Sequence, residues 1–353
     1  MAVDAHFENL LDLLVSQGGS DLHICAGGRP MVRVSGSLIA LSSQPILTAD
    51  ETEAILKSIA PPDRLRTFGE KQSIDFSYTY KDTIRFRVNG YRAQGAVVLA
   101  LRLIPDAVRT FRELGLPLVL ESFTQREQGF FLVVGPVGQG KSTTLASMID
   151  RINDSRTEHI LTIEDPIEYV FTPKKSLVHQ REVHIDTPDF HTALESAFRE
   201  DVDVIMVGEM RDYETISSAV TAAETGHLVL STLHTNNAAQ TIDRIIDMFP
   251  AEQQAQVRVQ LAGSLIGIFS QRLIPRVSGG LIPAYELLIN NNAVSTLIRD
   301  GRTHEINAVI QTSSQEGMID MDRALADLVH RGEITVEHAH EHAMDPKTFE
   351  RYL

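Results

Sequence analysis

The glycine-rich segment at residues 135–142 sets the strongest limit on how this chain can fold. It reads GPVGQGKS, follows the apolar run FFLVV at 130–134, and leads into a segment with helical spacing at 141–152. Its three glycines permit backbone conformations that turn successive amide groups inward around a phosphate. The strand, loop and helix match the pattern G-x-x-x-x-G-K-[ST] in the context that this pattern requires. The segment therefore predicts an α/β domain with a loop that binds nucleotide phosphates.

Each residue type in this loop has a role in that chemistry. Lys141 is expected to reach the terminal phosphates, and Ser142 offers a hydroxyl oxygen to Mg²⁺ at the positive end of the helix. The alternative is a glycine-rich turn without a ligand. The candidate nucleotide-binding residues are Gly135, Pro136, Val137, Gly138, Gln139, Gly140, Lys141, Ser142 and Thr143.

Acidic residues follow two other apolar strands. Glu164 follows the strand at 159–163, and Gly208-Glu209 follows the strand at 203–207. Because the carboxyl ends of strands in an open α/β sheet form the ligand crevice, both glutamates are candidates to act beside the loop. Gly208 stands at the usual position of a metal-binding aspartate, so Glu209 is expected to contact Mg²⁺ through water. Either acid alone could also be a solvated carboxylate at a strand end.

Two histidines flank a fourth apolar strand at 228–232. His227 precedes this strand and His234 follows it. A strand-end histidine can respond to the loss of a terminal phosphate, whereas many histidines only form structural hydrogen bonds. The spacing by itself leaves both interpretations open.

The first 105 residues follow a different pattern. Apolar residues at helical spacing predict a helix near 4–17, and Thr48 with Glu51 has the spacing of a capping box at the start of a second helix. Four segments rich in β-branched and aromatic residues predict a meandering antiparallel sheet. Residues 1–105 therefore predict a small α+β domain, followed by a linker at 106–118.

The remaining chain, 119–353, alternates short apolar strands with amphipathic helices and predicts a mostly parallel sheet. A helix is expected to open at Thr187-Pro188, with proline at its first position. Beyond about residue 250 the pattern is helical, with one helix predicted over 252–273 and another around Leu325. The fold class expected is α/β, with a smaller α+β domain before it and a helical C-terminal tail.

Four ordered segments resemble a known family. They are GPVGQGKST at 135–143, HILTIEDPIEYVF at 159–171, EDVDVIMVGEMRD at 200–212 and TGHLVLSTLHTNNA at 225–238. They resemble the Walker A, Asp box, Walker B and His box of the type II/type IV secretion ATPase superfamily, in its PilT/PilU twitching-motility branch. The resemblance implies a PAS-like N-terminal domain, a RecA-like P-loop ATPase domain, a homo-hexameric ring, and ATP with Mg²⁺ at the site.

The resemblance also implies roles for individual residues. Glu164 matches the catalytic glutamate of the Asp box, and Glu209 matches the Walker B glutamate that acts at magnesium and water. His227 and His234 match the His box. Basic residues of the N-terminal domain match arginines that the family supplies to the nucleotide. The two assigned to this role are Arg87 and Arg102.

The implied function is an ATP-driven motor for type IV pilus retraction and twitching motility. Such a motor lies in the cytoplasm, peripheral to the inner membrane at the pilus base. It acts on a membrane platform protein and through it on pilin, alone or with a second retraction ATPase. Residues 293–300 resemble the retraction motif AIRNLIRE but depart from it at four positions, and 287–290 resembles the accessory ATPase PilU as much as PilT.

Composition argues against several alternatives. The net charge of −15 argues against a nucleic-acid translocase, since it repels phosphate backbones. The single Cys25 cannot supply the tetracysteine zinc site typical of pilus-extension and type II secretion ATPases. A non-hydrolysing regulatory subunit is disfavoured by intact Lys141, Ser142 and both strand-end glutamates. The sequence predicts neither a signal peptide nor a membrane span.

Overall fold

The structure is a computed structural model that describes residues 5–34, 36–81, 83–105 and 107–353. By their contacts, the described residues group into two compact units. The N-terminal unit comprises Met1–Ala107 with Asp165–Val170, and the C-terminal unit comprises Val108–Glu164 with Phe171–Leu353. Across the described ranges, no helix combines the length and the apolar character that crossing a bilayer requires.

The N-terminal unit is built on an antiparallel sheet with strand order β3-β2-β1-β6-β5-β4. Buried side chains of α1, α2 and the sheet form its core. Its described elements are α1 Ala5–Ser16, β1 Asp21–Cys25, β2 Met31–Val34, β3 Ser37–Ala40, α2 Ala49–Ile59, α3 Pro62–Lys71, β4 Ser73–Tyr80, β5 Ile84–Ala93 and β6 Ala96–Leu103.

Local sequence patterns locate most of this unit correctly. The helix predicted near 4–17 is confirmed as α1, and the predicted capping box of α2 is present. Thr48 N–H donates to Glu51 Oε2 at 2.7 Å, and Glu51 N–H donates to Thr48 Oγ1 at 3.3 Å. Helix α3 was not predicted, because only Phe68 of its ten residues is buried and its apolar stripe is short.

The C-terminal unit contains a seven-stranded sheet with order β13-β12-β7-β11-β10-β8-β9, in which β12 and β13 are the antiparallel pair. Its described strands are β7 Gly129–Val134, β8 His159–Glu164, β9 Leu177–Glu182, β10 Val204–Val207, β11 Leu228–Leu233, β12 Leu265–Pro275 and β13 Leu281–Ile289. Its described α-helices are α4 Phe111–Leu114, α5 Leu120–Thr124, α6 Lys141–Ser155, α7 Phe190–Ala197, α8 Tyr213–Glu224, α9 Ala238–Asp247, α10 Ala251–Ser264, α11 Asn292–Asp300, α12 Ile306–Thr312, α13 Met321–His330, α14 Val336–His342 and α15 Pro346–Tyr352.

The central strands are apolar because both faces of the sheet are covered. Every residue of β7, β10 and β11 is buried. Strands buried on both faces read as continuous apolar runs, which is why these three strands and the nearly buried β8 could be identified from the sequence. The alternating pattern predicted for 119–353 is confirmed as an α/β fold with a mostly parallel sheet.

The helix predicted over 252–273 is wrong in its second half. Helix α10 ends at Ser264, and the following residues form strand β12, parallel to β7 and antiparallel to β13. A short apolar run is compatible with a buried strand as well as a helix, and pairing partners that are distant in sequence decide between them. A Cβ at Gly267 would lie 3.0 Å from the Leu288 carbonyl oxygen, so the two strands approach closely there. The C-terminal tail is helical from Asn292 onward.

The structure also differs from two smaller predictions, which concern the linker and the start of one helix. The segment predicted as a linker, 106–118, contains helix α4, which begins with a capping box between Thr110 and Glu113. Helix α7 begins after Asp189, because the Asp189 side chain accepts the Thr192 N–H at 2.7 Å and so acts as the N-cap. The proline at 188 therefore precedes the cap and does not occupy the first helical position.

Candidate active site

The sheet brings four of the predicted segments to one edge. Strand β7 leads into the glycine-rich loop, and its last residue, Val134, pairs with Leu233 of β11. Val207 of β10 pairs with Ser231 on one side and with Ile163 of β8 on the other. Neighbouring strands lie about 4.8 Å apart. The loop and the three segments after β11, β10 and β8 therefore follow one another along the carboxyl edge of the sheet, where open α/β sheets bind ligands.

The loop backbone depends on its glycines. Gly135, Gly138 and Gly140 have φ values of +146°, +79° and +78°. A Cβ at Gly135 would lie 2.4 Å from the carbonyl oxygen of Gln271, so no side chain fits at that position. Gly140 is the N-cap residue of α6. The loop thus ends at a helix N-terminus, where the backbone amide groups and the helix dipole favour an anion.

Lys141 lies almost buried beneath the loop, with 7% of its surface exposed. Its ammonium donates to the carbonyl oxygens of Gly135 at 2.8 Å and Pro136 at 2.9 Å. It also lies 3.2 Å from Nδ1 of His234. The Lys141 ammonium therefore lies between the loop and the segment after β11.

The contact with Lys141 fixes the proton position on His234. An ammonium group can only donate, so Nδ1 of the imidazole accepts and the ring proton of the neutral form lies on Nε2. That nitrogen is 3.6 Å from Oε2 of Glu209. Partial burial lowers the pKa of His234, the Lys141 ammonium lowers it further, and the Glu209 carboxylate opposes both. His234 is therefore neutral at pH 7 and connects the loop lysine to the strand-end glutamate.

Glu209 also has a charged neighbour that was not predicted from the sequence. Its carboxylate forms an ion pair with Arg211, two residues later. The Glu209 side chain is 17% exposed, whereas that of Arg211 is 69% exposed. The short spacing in GEMRD was the only available indication of this pair.

Glu164, at the end of β8, is 5% exposed and accepts hydrogen bonds from neighbouring side chains. Thr162 Oγ1 donates to it at 2.7 Å, and Gln180 Nε2 donates at 3.2 Å. Gln180 lies on β9, in register with Thr162. Gln180 was not predicted as a partner of Glu164, because β9 has no apolar pattern that identifies it as a neighbour of β8.

Of the other predicted site residues, one lies at the opposite end of β11 and two belong to the N-terminal unit. His227 precedes β11, about 20 Å from the carboxyl end of this six-residue strand, and its Nδ1 is 3.0 Å from the Ala222 carbonyl oxygen. Arg87 and Arg102 belong to the N-terminal unit. Arg87 pairs with Glu168 at 3.2 Å, and Arg102 pairs with Asp21 at 2.9 Å. Within this chain, His227 is thus separate from the phosphate loop, and both arginines are held by carboxylates of their own unit.

A buried acid anchors the segment that carries His234. Glu286 of β13 is 6% exposed and accepts the N–H of Ala238, the first residue of α9, at 2.7 Å. Burial raises the pKa of Glu286 to about 7, and the carboxylates of Asp320 and Asp322 act in the same direction. The hydrogen bond from Ala238 and the charge of Arg272 oppose this shift.

The glutamine variant of Glu286 is expected to change how stability depends on pH. The unfolded carboxyl titrates near 4.5 and the folded one near 7, so the free energy of unfolding of the wild type falls as pH rises through this window. The full shift corresponds to about 3 kcal/mol. Glu286→Gln keeps an acceptor for Ala238 and does not titrate. Its free energy of unfolding relative to wild type is therefore expected to rise from pH 4.5 to pH 7.5, as measured by chemical denaturation.

The exposed Glu341 on α14 provides a matched control. Glu341→Gln removes one carboxylate without changing a buried group, so its difference from wild type is expected to stay nearly constant over the same pH range. A constant difference for Glu286→Gln as well would contradict the assigned origin of the pH dependence.

The oxygen atoms at this edge fit Mg²⁺ that arrives with a nucleotide. Among the described residues, no group of three or more His, Cys, Asp or Glu side chains is arranged to hold a metal ion. Nucleotide-bound Mg²⁺ uses few protein oxygens and completes its shell with phosphate and water. The Ser142 hydroxyl is exposed in the first turn of α6, and the Glu209 carboxylate lies after β10. Both donors suit that ion.

The fold and this arrangement of loop, lysine and strand-end acids define a P-loop ATPase. The sequence profile of the family described as "Type II/IV secretion system protein" matches residues 8–335, and the chain belongs to this family. It is 46% identical to the Pseudomonas aeruginosa "Type IV pilus retractation ATPase PilT" over 96% of this chain and 98% of that protein. It is 40% identical to the P. aeruginosa "Type IV pilus ATPase PilU" over 96% and 88% of the two chains. A crystal structure of the pilus retraction motor PilT with bound ADP superposes with a TM-score of 0.91, at 45% identity over 99% of this chain and 100% of that one.

Proposed function

We propose that this protein is an ATP-driven motor that powers type IV pilus retraction. The observation that carries the proposal is a complete phosphate loop, with Lys141 beneath it, in a chain that aligns along nearly its whole length with a retraction ATPase. Both strand-end glutamates, Glu164 and Glu209, follow strands of the sheet edge to which the loop belongs. A chain that keeps these groups has the means to hydrolyse ATP and not only to bind it.

In the proposed site, the amide groups of residues 135–143 hold the phosphates of ATP. Lys141 leaves the Gly135 and Pro136 carbonyl oxygens and places its charge on the terminal phosphates. Ser142 and, through water, Glu209 hold Mg²⁺, which supplies charge neutralisation at the phosphates. Glu164 acts as the catalytic glutamate at the attacking water. His234 senses the terminal phosphate through its contacts with Lys141 and Glu209.

The proposed working form is a homo-hexamer. A ring places the N-terminal unit of one protomer within reach of a nucleotide held by another, which would give Arg87 and Arg102 the roles that the family implies for them. His227 belongs to the C-terminal unit and in this proposal keeps the His-box role that the family implies. In this proposal the ring lies in the cytoplasm against the inner membrane at the pilus base. It acts there on a platform protein and through it on pilin. A nucleic-acid substrate is not part of the proposal, given the net charge of −15.

Pilus imaging tests the direction of this motor. In a strain that lacks the gene, the wild-type chain is expected to restore pilus retraction and twitching. Glu209→Ala is expected to give extended pili that do not retract, because the nucleotide binds but is not hydrolysed. Fluorescently labelled pili in single cells provide the measurement.

Two other outcomes would change the assignment. Cells without pili in the Glu209→Ala strain would indicate an extension ATPase and contradict the proposal. Retraction that returns only when a second retraction ATPase is also present would assign the chain the accessory role of a PilU-like protein. The 40% identity to PilU keeps that second candidate open.

A further inference from the structure

Strand β12 carries a glutamine that contacts the phosphate loop at several points. Gln271 is 2% exposed and follows Ser270, which pairs with Val134, the last residue of β7. It therefore lies beside the exit of β7, where the loop begins. Thr144 Oγ1 in α6 donates to Gln271 Oε1 at 2.6 Å, and Gln271 Nε2 donates to the backbone carbonyl oxygen of Gln139 at 2.6 Å.

The side chain of Gln139 in the loop also contacts strand β12. Oε1 of Gln139 accepts the backbone N–H of Leu273 at 2.7 Å, so the two glutamines tie the loop and the strand reciprocally. Two loop glycines also face Gln271: a Cβ at Gly135 would lie 2.4 Å from its carbonyl oxygen, and a Cβ at Gly140 would lie 2.9 Å from its Nε2. The loop is thus packed against this one residue at both of its ends.

The bond to the Gln139 carbonyl has a consequence for the next amide group. A trans peptide unit is planar, and its C=O and N–H point in opposite directions. Because Gln271 holds the Gln139 carbonyl on the β12 side, the N–H of Gly140 must point away from β12. Glycine at 140 would otherwise allow this peptide to rotate at little cost.

We propose that Gln271 is a positioning residue of the phosphate loop, which orients the Gly140 N–H toward the phosphates of the bound nucleotide. The proposal rests on the assignment of residues 135–143 to phosphate binding. Thr144 supports it by occupying Oε1, which leaves the amide nitrogen of Gln271 directed at Gln139. This role requires a hydrogen-bond donor at position 271, and not only a side chain of the right volume.

Two variants of Gln271 test whether its hydrogen-bond donor or only its side-chain volume is required. Gln271→Met keeps the size and loses both polar contacts. Gln271→Glu keeps the size and the acceptor for Thr144, but once its carboxyl is ionised it presents an oxygen instead of a donor to the Gln139 carbonyl. Both variants are expected to raise the Kd for ADP carrying a fluorescent N-methylanthraniloyl group about tenfold, as expected for loss of one hydrogen bond to a charged oxygen. The KM for ATP should rise similarly with kcat within about threefold, because the amide contacts ground and transition states alike.

Arg272→Met is the matched control, because it places the same side chain at the next position of β12. Arg272 contacts the carbonyl oxygen of His342 and the sulfur of Met344, on the other face of the strand. Its Kd for the labelled ADP is expected to stay within about twofold of wild type. A merely structural role of Gln271 would lower the unfolding temperature and leave the KM unchanged.

Wild-type protein that does not bind the labelled ADP would contradict the loop assignment itself. Wild-type protein that binds it, together with Gln271→Met or Gln271→Glu at wild-type affinity, would overturn the positioning role of Gln271 alone.

Discussion

Lys141→Ala is expected to abolish ATP turnover, with a loss of at least about 100-fold in the rate of phosphate release at saturating ATP. Lys141 is the only side-chain cation in the loop, and its ammonium already lies at the loop carbonyl oxygens and at His234. Charge that develops on the terminal phosphate oxygens during transfer would then have no cation beneath it.

The fold of this variant is expected to persist. The ammonium donates to the carbonyls of Gly135 and Pro136, and the loss of such bonds costs about 1 kcal/mol each. Circular dichroism and thermal unfolding of the variant should therefore remain close to wild type. Lys175→Ala, at an exposed lysine of the same unit, is the matched control and should hydrolyse ATP normally. An active Lys141→Ala enzyme would refute the site.

Glu209→Gln is expected to separate nucleotide binding from hydrolysis. The amide keeps the size of the side chain but lacks the negative charge that faces His234 and Arg211. In the proposed site this charge acts on the magnesium water shell, so its loss should lower kcat by about 100-fold or more. The Kd for ATP should change only a few-fold, because the loop amide groups and Lys141 are untouched. Single-turnover hydrolysis and equilibrium binding provide the two measurements.

Glu214→Gln is the control for this second experiment. Glu214 is exposed in the first turn of α8, five positions after Glu209, and removing its charge should leave kcat near the wild-type value. If Glu209→Gln weakened ATP binding as much as it slowed hydrolysis, Glu209 would serve mainly in binding. A kcat near wild type would remove Glu209 from the proposed machinery.

Sequence patterns predicted those parts of the fold in which neighbours along the chain decide the conformation. The capping box of α2 is one such case, since Thr48 and Glu51 satisfy each other within a single turn. The apolar strands at 130–134 and 228–232 are another, because strands covered on both faces require continuous apolar runs. The order of these elements along the chain was sufficient to predict the α/β fold class.

The sequence failed where a distant partner decides the conformation. Residues 265–275 have apolar residues at a spacing compatible with a helix, yet they form β12 because β7 and β13 offer hydrogen bonds on both sides. Strand β9 was missed because its sequence has no clear apolar pattern. It alternates in burial only weakly, and its pairing with β8 places Gln180 next to Glu164.

The residues of the candidate site also divide into those that a local sequence pattern predicts and those that it does not. The glycine spacing, Lys141 and Ser142 could be proposed from the chain alone, because a phosphate loop is built from consecutive backbone groups. The neighbours that orient them could not. Gln271 is 132 positions from Gln139, and Glu286 is 48 positions from Ala238. Hydrogen bonds over such separations depend on how the sheet is ordered, which no short pattern records.

Consecutive residues thus specified the phosphate loop, the strand-end glutamates and the class of enzyme, since backbone conformation and strand burial follow from local residue types. Folding of the sheet decided which groups surround them: His234 between Lys141 and Glu209, Gln180 at Glu164, and Gln271 at the loop carbonyl. The physical reason is that a side chain acquires its partners and its pKa from groups brought close by strand pairing, whereas the chain itself fixes only the nearest few residues.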